Sequence, residues 1–398
     1  MDVTPGLRRE RSPDLDAVGQ DDELVDRIHE EIRGTGPITF ARFMELALYD
    51  PRGGYYRSEA ARPGRDGDFL TAPETHPIFG AALARGIEEV WHRLGRPDPF
   101  VLREYGAGTG TLALAILERL ALDGSELAAI LRYDPIEIEP RRLDVISARL
   151  LDAARDGVLM APGDRGRPAV GVVLANEVLD ALPTHRVAGR DGRLLEILVG
   201  SDDGRFVDVE TDPTTPALAA RLSAEAIELV EGQRAEICLA LDPWMAEAAG
   251  GLARGLLLLI DYGHPAAELY DSRRRMNGTL LAYLRQHAHD DPYRHVGRQD
   301  LTAHVDVTAV ERAAARAGLV HLGTTTQAEF LVGLGIEDLL RAIQADPATT
   351  MEAYLAVRSG LMRIIDPAAT GRFRVMGFGR EWPDGPPLAG FAYRLGRR

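Results

Sequence analysis

REYGAGTGTL, residues 103–112, places three glycines at alternate positions directly after an acidic residue and a tyrosine. The apolar run FVLREYG (100–106) is typical of a buried strand, and the following TLALAILERLAL is typical of a helix. A glycine-rich turn between a strand and a helix lets the backbone approach a ligand closely and points the helix amino terminus at it. The stretch therefore predicts a ligand site at the carboxyl edge of a parallel sheet.

Three ligand classes compete for this turn. A P-loop is excluded, because the Gly-Lys-Ser/Thr ending is absent. The dinucleotide pattern Gly-x-Gly-x-x-Gly/Ala fails from Gly106 but is met late in the turn from Gly108, so a dehydrogenase stays open. The pattern acid-x-Gly-x-Gly-x-Gly, which resembles that of S-adenosylmethionine-dependent methyltransferases, is met without exception. Its members are Glu104, Gly106, Gly108 and Gly110.

Strand and helix patterns alternate along the rest of the chain. The further candidate strands are YDPIEIE (133–139), GVLMAPGD (157–164), GVVLAN (171–176), GLLLLIDYG (255–263) and FRVMGFGRE (373–381). This alternation predicts an α/β fold with a Rossmann-like parallel sheet covered by helices on both faces. Insertions interrupt it at about 184–231 and 265–306. Asp-Gly turns in the first insertion predict an antiparallel β meander.

Composition limits location and partners. Residues 1–22 lack the apolar core of a signal peptide and predict a disordered tail, 23–99 predict an N-terminal helical and lid segment, and 100–398 the core. No apolar run approaches the roughly 20 residues that span a bilayer, and the net charge of −15 disfavours nucleic acid. The single Cys238 excludes an intramolecular disulfide framework and suggests a reduced thiol in a cytoplasmic protein.

The second strand offers a candidate for the ribose of a nucleoside cofactor. Glu139 ends YDPIEIE, where a carboxylate can accept hydrogen bonds from both ribose hydroxyls. Glu137 is expected to point to the opposite face of the strand.

The fourth and fifth strands end in further acids. Asn176 and Glu177 stand at the carboxyl end of one strand, and Asp180 shares a helical face with Glu177. We expect an anionic mouth that holds a basic substrate nitrogen, fixes it bidentately and accepts its proton. The alternative is a helix start whose dipole favours acids. Asp261 and His264 of DYGH are second candidates, although Asp261 could instead only cap the following turn.

Seven stretches, taken in order, resemble the MidA family, relatives of the mitochondrial complex I assembly methyltransferase. They are GPITFARFMELALYDPRGGYY, GDFLTAPE, EYGAGTGTL, ANEVLDALP, LLIDYG, NGTLLAY and DLTAHVDV, between about Gly36 and about Gly379. The resemblance implies a class I methyltransferase fold with S-adenosyl-L-methionine as cofactor. In the mitochondrial relative it implies symmetric dimethylarginine on a respiratory complex I subunit.

The resemblance also carries over individual residues. They are the glycine loop Gly106, Gly108 and Gly110, the ribose acid Glu139, the element Asn176, Glu177, Asp180 and Pro183, and the cofactor-closing loop Gly67, Asp68, Thr71, Pro73 and Glu74. This chain departs from the mitochondrial relative at Tyr105, Ala107 and Thr109, where that relative reads Leu, Pro and Arg. We expect these three differences to leave cofactor binding intact, whereas the identity of the protein substrate could differ from that of the mitochondrial relative.

We therefore predict an S-adenosylmethionine-dependent methyltransferase that acts on a protein arginine side chain and could form a homodimer. A small-molecule N- or O-methyltransferase acting on a different nucleophile stays open, as does a non-catalytic assembly factor that retains the fold. No metal is expected, because the histidines and acids near residues 287–306 lack a specific ligand spacing. They are His287, His289, His295 and His304 with Asp290, Asp291, Asp300 and Asp306.

Overall fold

The computed structural model describes residues 15–58, 72–153, 158–160, 163–164 and 166–394. Its α-helices are α1 (Asp22–Thr35), α2 (Phe40–Tyr49), α3 (Ala72–Thr75), α4 (Ile78–Arg93), α5 (Thr111–Leu122), α6 (Leu127–Ile130), α7 (Pro140–Ala153), α8 (Pro216–Ala224), α9 (Leu241–Gly250), α10 (Ala266–Leu269), α11 (Val307–Arg316), α12 (Gln327–Gly333), α13 (Ile336–Ala345), α14 (Met351–Ile365) and α15 (Ala389–Ala392). Its strands are β1 (Ile38–Thr39), β2 (Phe100–Tyr105), β3 (Leu131–Ile136), β4 (Ala169–Asn176), β5 (His185–Arg190), β6 (Arg193–Asp202), β7 (Arg205–Thr211), β8 (Arg234–Ile237), β9 (Leu252–Asp261), β10 (Gly263–His264), β11 (Leu281–Leu284), β12 (His287–His289), β13 (Asp300–Thr302), β14 (Val305–Asp306), β15 (Val320–Thr326) and β16 (Arg374–Arg380).

A six-stranded sheet in the order β15-β16-β9-β4-β2-β3 forms the centre of the fold. β3, β2, β4 and β9 are parallel, whereas β16 runs antiparallel to both β9 and β15. Successive side chains of a strand face opposite sides: Leu258 packs in one core and Leu259 in the other. Helices α4 and α5 cover the first face, and α9 and α11 cover the second. The predicted α/β class is confirmed.

The first insertion folds as an antiparallel sheet. β5, β6 and β7 form the predicted meander, and β1 and β8 extend it. Asp191 and Gly192, at the first hairpin turn, both have positive φ, as do Asp203 and Gly204 at the second. Two positive φ values match the type I′ turn that the right-handed twist of the strands favours. β8 lies beyond the predicted end of the insertion at residue 231.

The N-terminal segment packs on both insertions instead of standing apart from the core. Phe40 and Phe43 of α2 share a buried cluster with Val199 of β6 and with Leu301 of β13. β13 belongs to the three-stranded sheet β12-β11-β13 of the second insertion. The side chain of Thr39 caps α2 by accepting the Arg42 N–H. This packing holds α2 and the residues that directly follow it at the carboxyl edge of the central sheet.

Several predicted elements differ in extent. β3 ends at Ile136 and not at residue 139. Of the predicted third strand at 157–164, the described residues show a single bridge between Leu159 and Tyr133. Helices α12 and α13 are separated near Gly335, which takes a φ of 74°. No helix in the described part of the chain is both long and apolar enough to cross a membrane.

Candidate active site

A cavity of about 690 Å³ lies where β2, β3 and β4 end, within the range typical of small-molecule sites. The core strands, the N-terminal segment and the second insertion all contribute to its walls. Its polar and aromatic lining includes Tyr49, Tyr56, Glu104, Glu137, Asn176, Glu177, Asp180, Tyr262, Tyr283, Asp300, His304 and Arg372. The cavity therefore brings together residues distant in the sequence at the edge that the glycine turn predicts.

The glycine turn forms one wall. Gly106 and Gly108 have φ values of 65° and 56°, which favour glycine. A Cβ at Gly106 would lie 2.9 Å from Cγ2 of Val178, whereas a Cβ at Gly108 would find its nearest neighbour at 3.9 Å. Gly110 precedes α5, so the amino terminus of that helix faces the cavity through Thr111. The backbone here can approach a ligand that larger residues would hold away.

Glu137, and not Glu139, reaches the cavity beside this turn. Its Oε2 accepts the Gly108 N–H at 2.9 Å. The Glu139 carboxylate instead accepts Nε of Arg141 at 2.7 Å, and this bond lowers its pKa. Because β3 ends at Ile136, both acids lie in a loop where the alternation of side chains along a strand no longer applies. The expected ribose acid Glu139 is thus displaced from the cavity by its neighbour.

Glu104 lies at the base of the turn. Its carboxylate accepts the Tyr133 hydroxyl at 2.6 Å, and burial raises its pKa to about 8. The acid of the glycine pattern thus faces the cavity from a buried position, where desolvation favours the protonated form.

The turn after β4 has a strained backbone. Glu177 has a φ of 54°, which is uncommon for a non-glycine residue, and its N–H donates to Ile260 O at 2.8 Å. Its Oε1 accepts Nδ2 of Asn176 at 3.2 Å and the Ala72 N–H at 3.4 Å. Oδ1 of Asn176 is buried and has no hydrogen-bond partner among the described residues. Such an atom indicates a missing donor, because buried polar groups are ordinarily paired.

Asp261 supports this turn from behind the cavity. Its Oδ2 accepts the N–H groups of Val178 at 3.1 Å and Leu179 at 2.8 Å, and its Oδ1 accepts that of Tyr262 at 2.7 Å. Burial raises the pKa of Asp261 to about 6, against the lowering effect of these bonds. Asp261 is not part of the cavity lining. The structure gives it a positioning place instead of the substrate contact that we expected.

His264 also lies outside the lining. Its Nδ1 is 3.3 Å from a Glu268 carboxylate oxygen, and its Nε2 is 2.8 Å from a guanidinium nitrogen of Arg275. Burial lowers its pKa. With both ring nitrogens engaged and the ring beyond the wall, the expected catalytic role of His264 has no geometric support.

Three of the carboxyl groups that line the cavity interact with one another and define its acidic end: Glu177, Asp180 and Asp300. Burial, followed by repulsion from Asp261, raises the pKa of Glu177 to about 8 and that of Asp180 well above its usual range. Oδ1 of Asp300 accepts the Tyr56 hydroxyl at 2.7 Å. A buried cluster of carboxyl groups suits a cationic ligand, because a positive charge stabilises the ionised forms that burial disfavours.

Sequence reasoning missed several of these residues. Asp300 entered only among the acids set aside as metal ligands, and Tyr49 and Tyr56 were not singled out. The available signal was their place in DLTAHVDV and in ALYDPRGGYY, two of the stretches that carry the family resemblance. Among described residues, no group of three or more His, Cys, Asp or Glu could hold a metal ion.

An aromatic wall adjoins the acidic end. The rings of Tyr262 and His304 meet edge to face with centroids 4.1 Å apart, and Tyr283 lies in the same lining. The guanidinium of Arg372 lies 4.6 Å from the Tyr262 ring centroid. Burial lowers the pKa of His304 to about 3, and His264, Arg275 and Arg372 add to the effect. The imidazole is therefore neutral at physiological pH.

The expected cofactor-closing loop is described only in part. Pro73 lines the cavity, and Glu74 lies within the short helix α3. Thr71 lies outside the described residues, as do Gly67 and Asp68. Among the described residues, the Ala72 N–H connects this segment to the turn after β4 by donating a hydrogen bond to the Glu177 carboxylate.

Comparisons with known proteins agree with this geometry. Residues 82–325 match a family model described as an S-adenosyl-L-methionine-dependent methyltransferase. A crystal structure of a Burkholderia thailandensis protein bound to S-adenosyl-homocysteine is similar, with a TM-score of 0.83 and 35% identity, and covers 97% of this chain and 99% of that one. Both the methyltransferase fold and S-adenosyl-L-methionine as its cofactor follow from these matches.

Curated relatives carry a more specific name. The Drosophila melanogaster protein named protein arginine methyltransferase NDUFAF7 homolog, mitochondrial, is 30% identical over 89% of this chain and 84% of its own length. The human protein named protein arginine methyltransferase NDUFAF7, mitochondrial, is 28% identical over 79% of this chain and 73% of its own. Since these relatives are mitochondrial by name, the cytoplasmic location predicted from the single cysteine is wrong.

The glycine turn, the cavity beside it and the family match converge on one conclusion. The methyltransferase family model matches more than half of the chain, and the Burkholderia thailandensis structure covers nearly all of it. The chain belongs to the family of S-adenosyl-L-methionine-dependent methyltransferases.

Proposed function

We propose that this enzyme methylates an arginine side chain of a protein substrate. The observation that carries the proposal is the acidic end of the cavity, where Glu177, Asp180 and Asp300 face the same space as the glycine turn. A guanidinium is a planar cation with several donors, and carboxylates can bind it bidentately. The arginine methyltransferase name of the curated relatives supports the same substrate class.

The residues of the turn are suited to hold the cofactor. We assign its ribose to Glu137, which lies beside the glycine loop and already accepts the Gly108 N–H. The open space at Gly108 admits a ligand close to the backbone, and the unpartnered Oδ1 of Asn176 offers an acceptor for a donor group. Glu104 supplies a further acid at the base of the turn.

The chemistry then divides between cofactor and chain. When bound, S-adenosyl-L-methionine supplies an electrophilic methyl group attached to sulfur. Glu177 and Asp180 bind the guanidinium, turn one of its nitrogens towards the glycine loop and accept the proton that this nitrogen loses. Displacement at a methyl group needs no covalent catalyst, so orientation and charge contribute most of the acceleration.

The backbone around these acids keeps them in place. Asp261 holds the 178–179 turn through two N–H groups, and the Glu177 N–H is held by Ile260. A non-glycine residue at positive φ costs about 1 kcal/mol or more, and such strain persists where the surroundings fix it. We infer that this strain aims the Glu177 carboxylate into the cavity before the acceptor arrives.

The test uses the full chain, S-adenosyl-L-methionine with an isotope-labelled methyl group, and a protein extract from a strain that lacks this gene. Mass spectrometry should locate the label on arginine. Glu177→Gln should reduce the labelling at least tenfold, while Glu352→Gln, the same change at an exposed position of α14, should not. Label confined to small molecules or to other residue types would refute the proposal. The symmetric dimethyl product, the respiratory complex I subunit and the homodimer remain predictions.

A further inference from the structure

The cavity carries one positive charge that its own residues leave uncompensated. Arg372 belongs to the lining, yet it has no ion pair or hydrogen-bond partner among the described residues. The other arginine in the lining, Arg142, lies 3.7 Å from Oε2 of Glu137. Outside the lining, Arg275 and Arg374 make hydrogen bonds to backbone carbonyls. Of the two arginines that line the cavity, Arg372 is thus the one without a carboxylate partner among the described residues.

Arg372 is held in a way that leaves its donors available. Its guanidinium carbon lies 4.6 Å from the centroid of the Tyr262 ring, and Phe373 packs on the same tyrosine with centroids 5.4 Å apart. A cation over an aromatic face is stabilised by the ring quadrupole, and this contact does not use up the hydrogen-bond donors of the guanidinium. These donors can therefore meet a carboxylate in a two-bond arrangement.

The cavity thus has two poles. Burial raises the pKa of Tyr283, Asp180 and Asp300 add to the rise, and Arg372 opposes it, so this tyrosine lies within the field of both ends. Arg372 also contributes to the lowered pKa of His304. A ligand that spans the cavity would find an anionic end for a cation and, past the tyrosines, a cationic end for an anion.

We infer that Arg372 selects acceptors that carry a carboxylate close to the methylated arginine. The inference rests on the proposed function, because the acidic end takes the guanidinium. It adds that the acceptor is dipolar: either an acidic side chain next to the arginine or the main-chain carboxylate of a terminal arginine pairs with Arg372. Exposure of Arg372 at the mouth fits contact with residues that flank the one inserted in the cavity.

Calorimetry on the full chain saturated with S-adenosyl-homocysteine tests the inference without a turnover assay. The probes form three matched pairs that differ only in a carboxylate or its amide. They are N-acetylarginine with N-acetylargininamide, N-acetyl-Arg-Glu-amide with N-acetyl-Arg-Gln-amide, and N-acetyl-Glu-Arg-amide with N-acetyl-Gln-Arg-amide. The first pair represents the main-chain carboxylate, and the other two represent an acidic neighbour on either side.

For at least one pair, the carboxylate member should bind about fivefold more tightly than its amide, as expected for a partly exposed ion pair. Arg372→Gln should reduce that ratio to about one and leave the affinity of the amide unchanged. Arg358→Gln, the same change at an exposed position of α14, should preserve the ratio. A ratio near one in every pair for the unmodified chain, or a ratio that survives Arg372→Gln, would overturn the inference. Binding of the amides with no carboxylate preference leaves the proposed function standing, whereas absence of binding by all six probes refutes both.

Discussion

The Tyr56 hydroxyl donates a 2.7 Å hydrogen bond to Oδ1 of Asp300, across 244 positions of sequence. Tyr56 follows α2 in the N-terminal segment, and Asp300 begins β13 of the second insertion. The bond orients one of the three carboxylates at the acidic end of the cavity. Two regions outside the central sheet therefore meet at the place where we propose that the acceptor binds.

Tyr56→Phe should weaken acceptor binding without affecting the cofactor. The change removes one of the contacts that orient the Asp300 carboxylate, so KM for the acceptor should rise about fivefold, equivalent to the roughly 1 kcal/mol typical of one hydrogen bond. Steady-state kinetics and titration with S-adenosyl-homocysteine measure the two effects. The matched control is Tyr293→Phe, which removes a 2.7 Å bond from a tyrosine to Asp208 outside the cavity lining. Equal rises in KM for both variants would contradict the prediction.

The pH dependence of methyl transfer should report the buried Glu177. Burial raises its pKa to about 8, so the carboxyl is mostly protonated at pH 6.5 and mostly ionised at pH 8.5. Because the ionised form binds the guanidinium, kcat/KM should rise roughly tenfold or more over this interval. In Glu177→Gln the rise should disappear and the rate should be low throughout. A flat profile for the unmodified enzyme would count against this role for Glu177.

The same residue should lower the stability of the cofactor-free chain in alkaline solution. A carboxyl whose pKa is higher folded than unfolded binds more protons in the folded state, so its contribution to stability falls as pH rises from about 4.5 to about 8. Glu177→Gln removes this penalty, and its Tm at pH 8.5 should exceed that of the unmodified chain by roughly 2–4 °C. At pH 4.5 the two should unfold at similar temperatures. A lower Tm for the variant at pH 8.5 would be inconsistent with the raised pKa.

Gly106→Ala should reduce cofactor affinity through two separate effects. The new Cβ meets Cγ2 of Val178 at 2.9 Å, and the φ of 65° is unfavourable for alanine. We expect at least tenfold weaker binding of S-adenosyl-homocysteine by calorimetry. Gly124→Ala provides the control, since Gly124 has the same φ but no atom within 4 Å of the added Cβ. The double variant with Val178→Ala should recover part of the affinity if the contact contributes.

Glu137→Gln and Glu139→Gln should separate the two candidates for the ribose. Glu137 lines the cavity, so its amide should bind S-adenosyl-homocysteine about tenfold more weakly, because charge-assisted hydrogen bonds to the ligand are lost. Glu139 is paired with Arg141 outside the cavity, so its amide should bind almost normally. A larger loss in Glu139→Gln would restore the assignment made from the sequence. Circular dichroism on both variants checks that each is folded.

Local patterns in the sequence are enough to predict the central sheet and the cofactor turn. The apolar strands, the glycine turn at Gly106–Gly110 and the Asp-Gly hairpins each depend on residues within a few positions of one another. Apart from the strand predicted at 157–164, the structure contains these elements. The exact residue at which a strand ends cannot be predicted from such local patterns. The exit of the chain from β3 at Ile136 depends on its pairing with β2, which apolar periodicity does not report.

The acidic end was predictable only in part. Glu177 and Asp180 follow a recognisable strand, so their place was accessible from the sequence. Asp300 and Tyr56 reach the cavity because α2 packs on both insertions, and such long-range packing has no signature in the local pattern. His264 shows the reverse case: it follows a strand as expected, but Glu268 and Arg275 hold its ring away from the cavity.

The shared construction of the cavity bears on how this enzyme lineage can change. The glycine turn and Glu137 directly follow strands of the central sheet, whereas Tyr56 and Asp300 come from segments packed on its edge. Substitutions in those outer segments can alter which acceptor fits while the cofactor contacts stay as they are. Descendants of one ancestral enzyme can thus diverge in the acceptors they methylate through changes in the outer segments alone, while they all keep the same cofactor-binding residues.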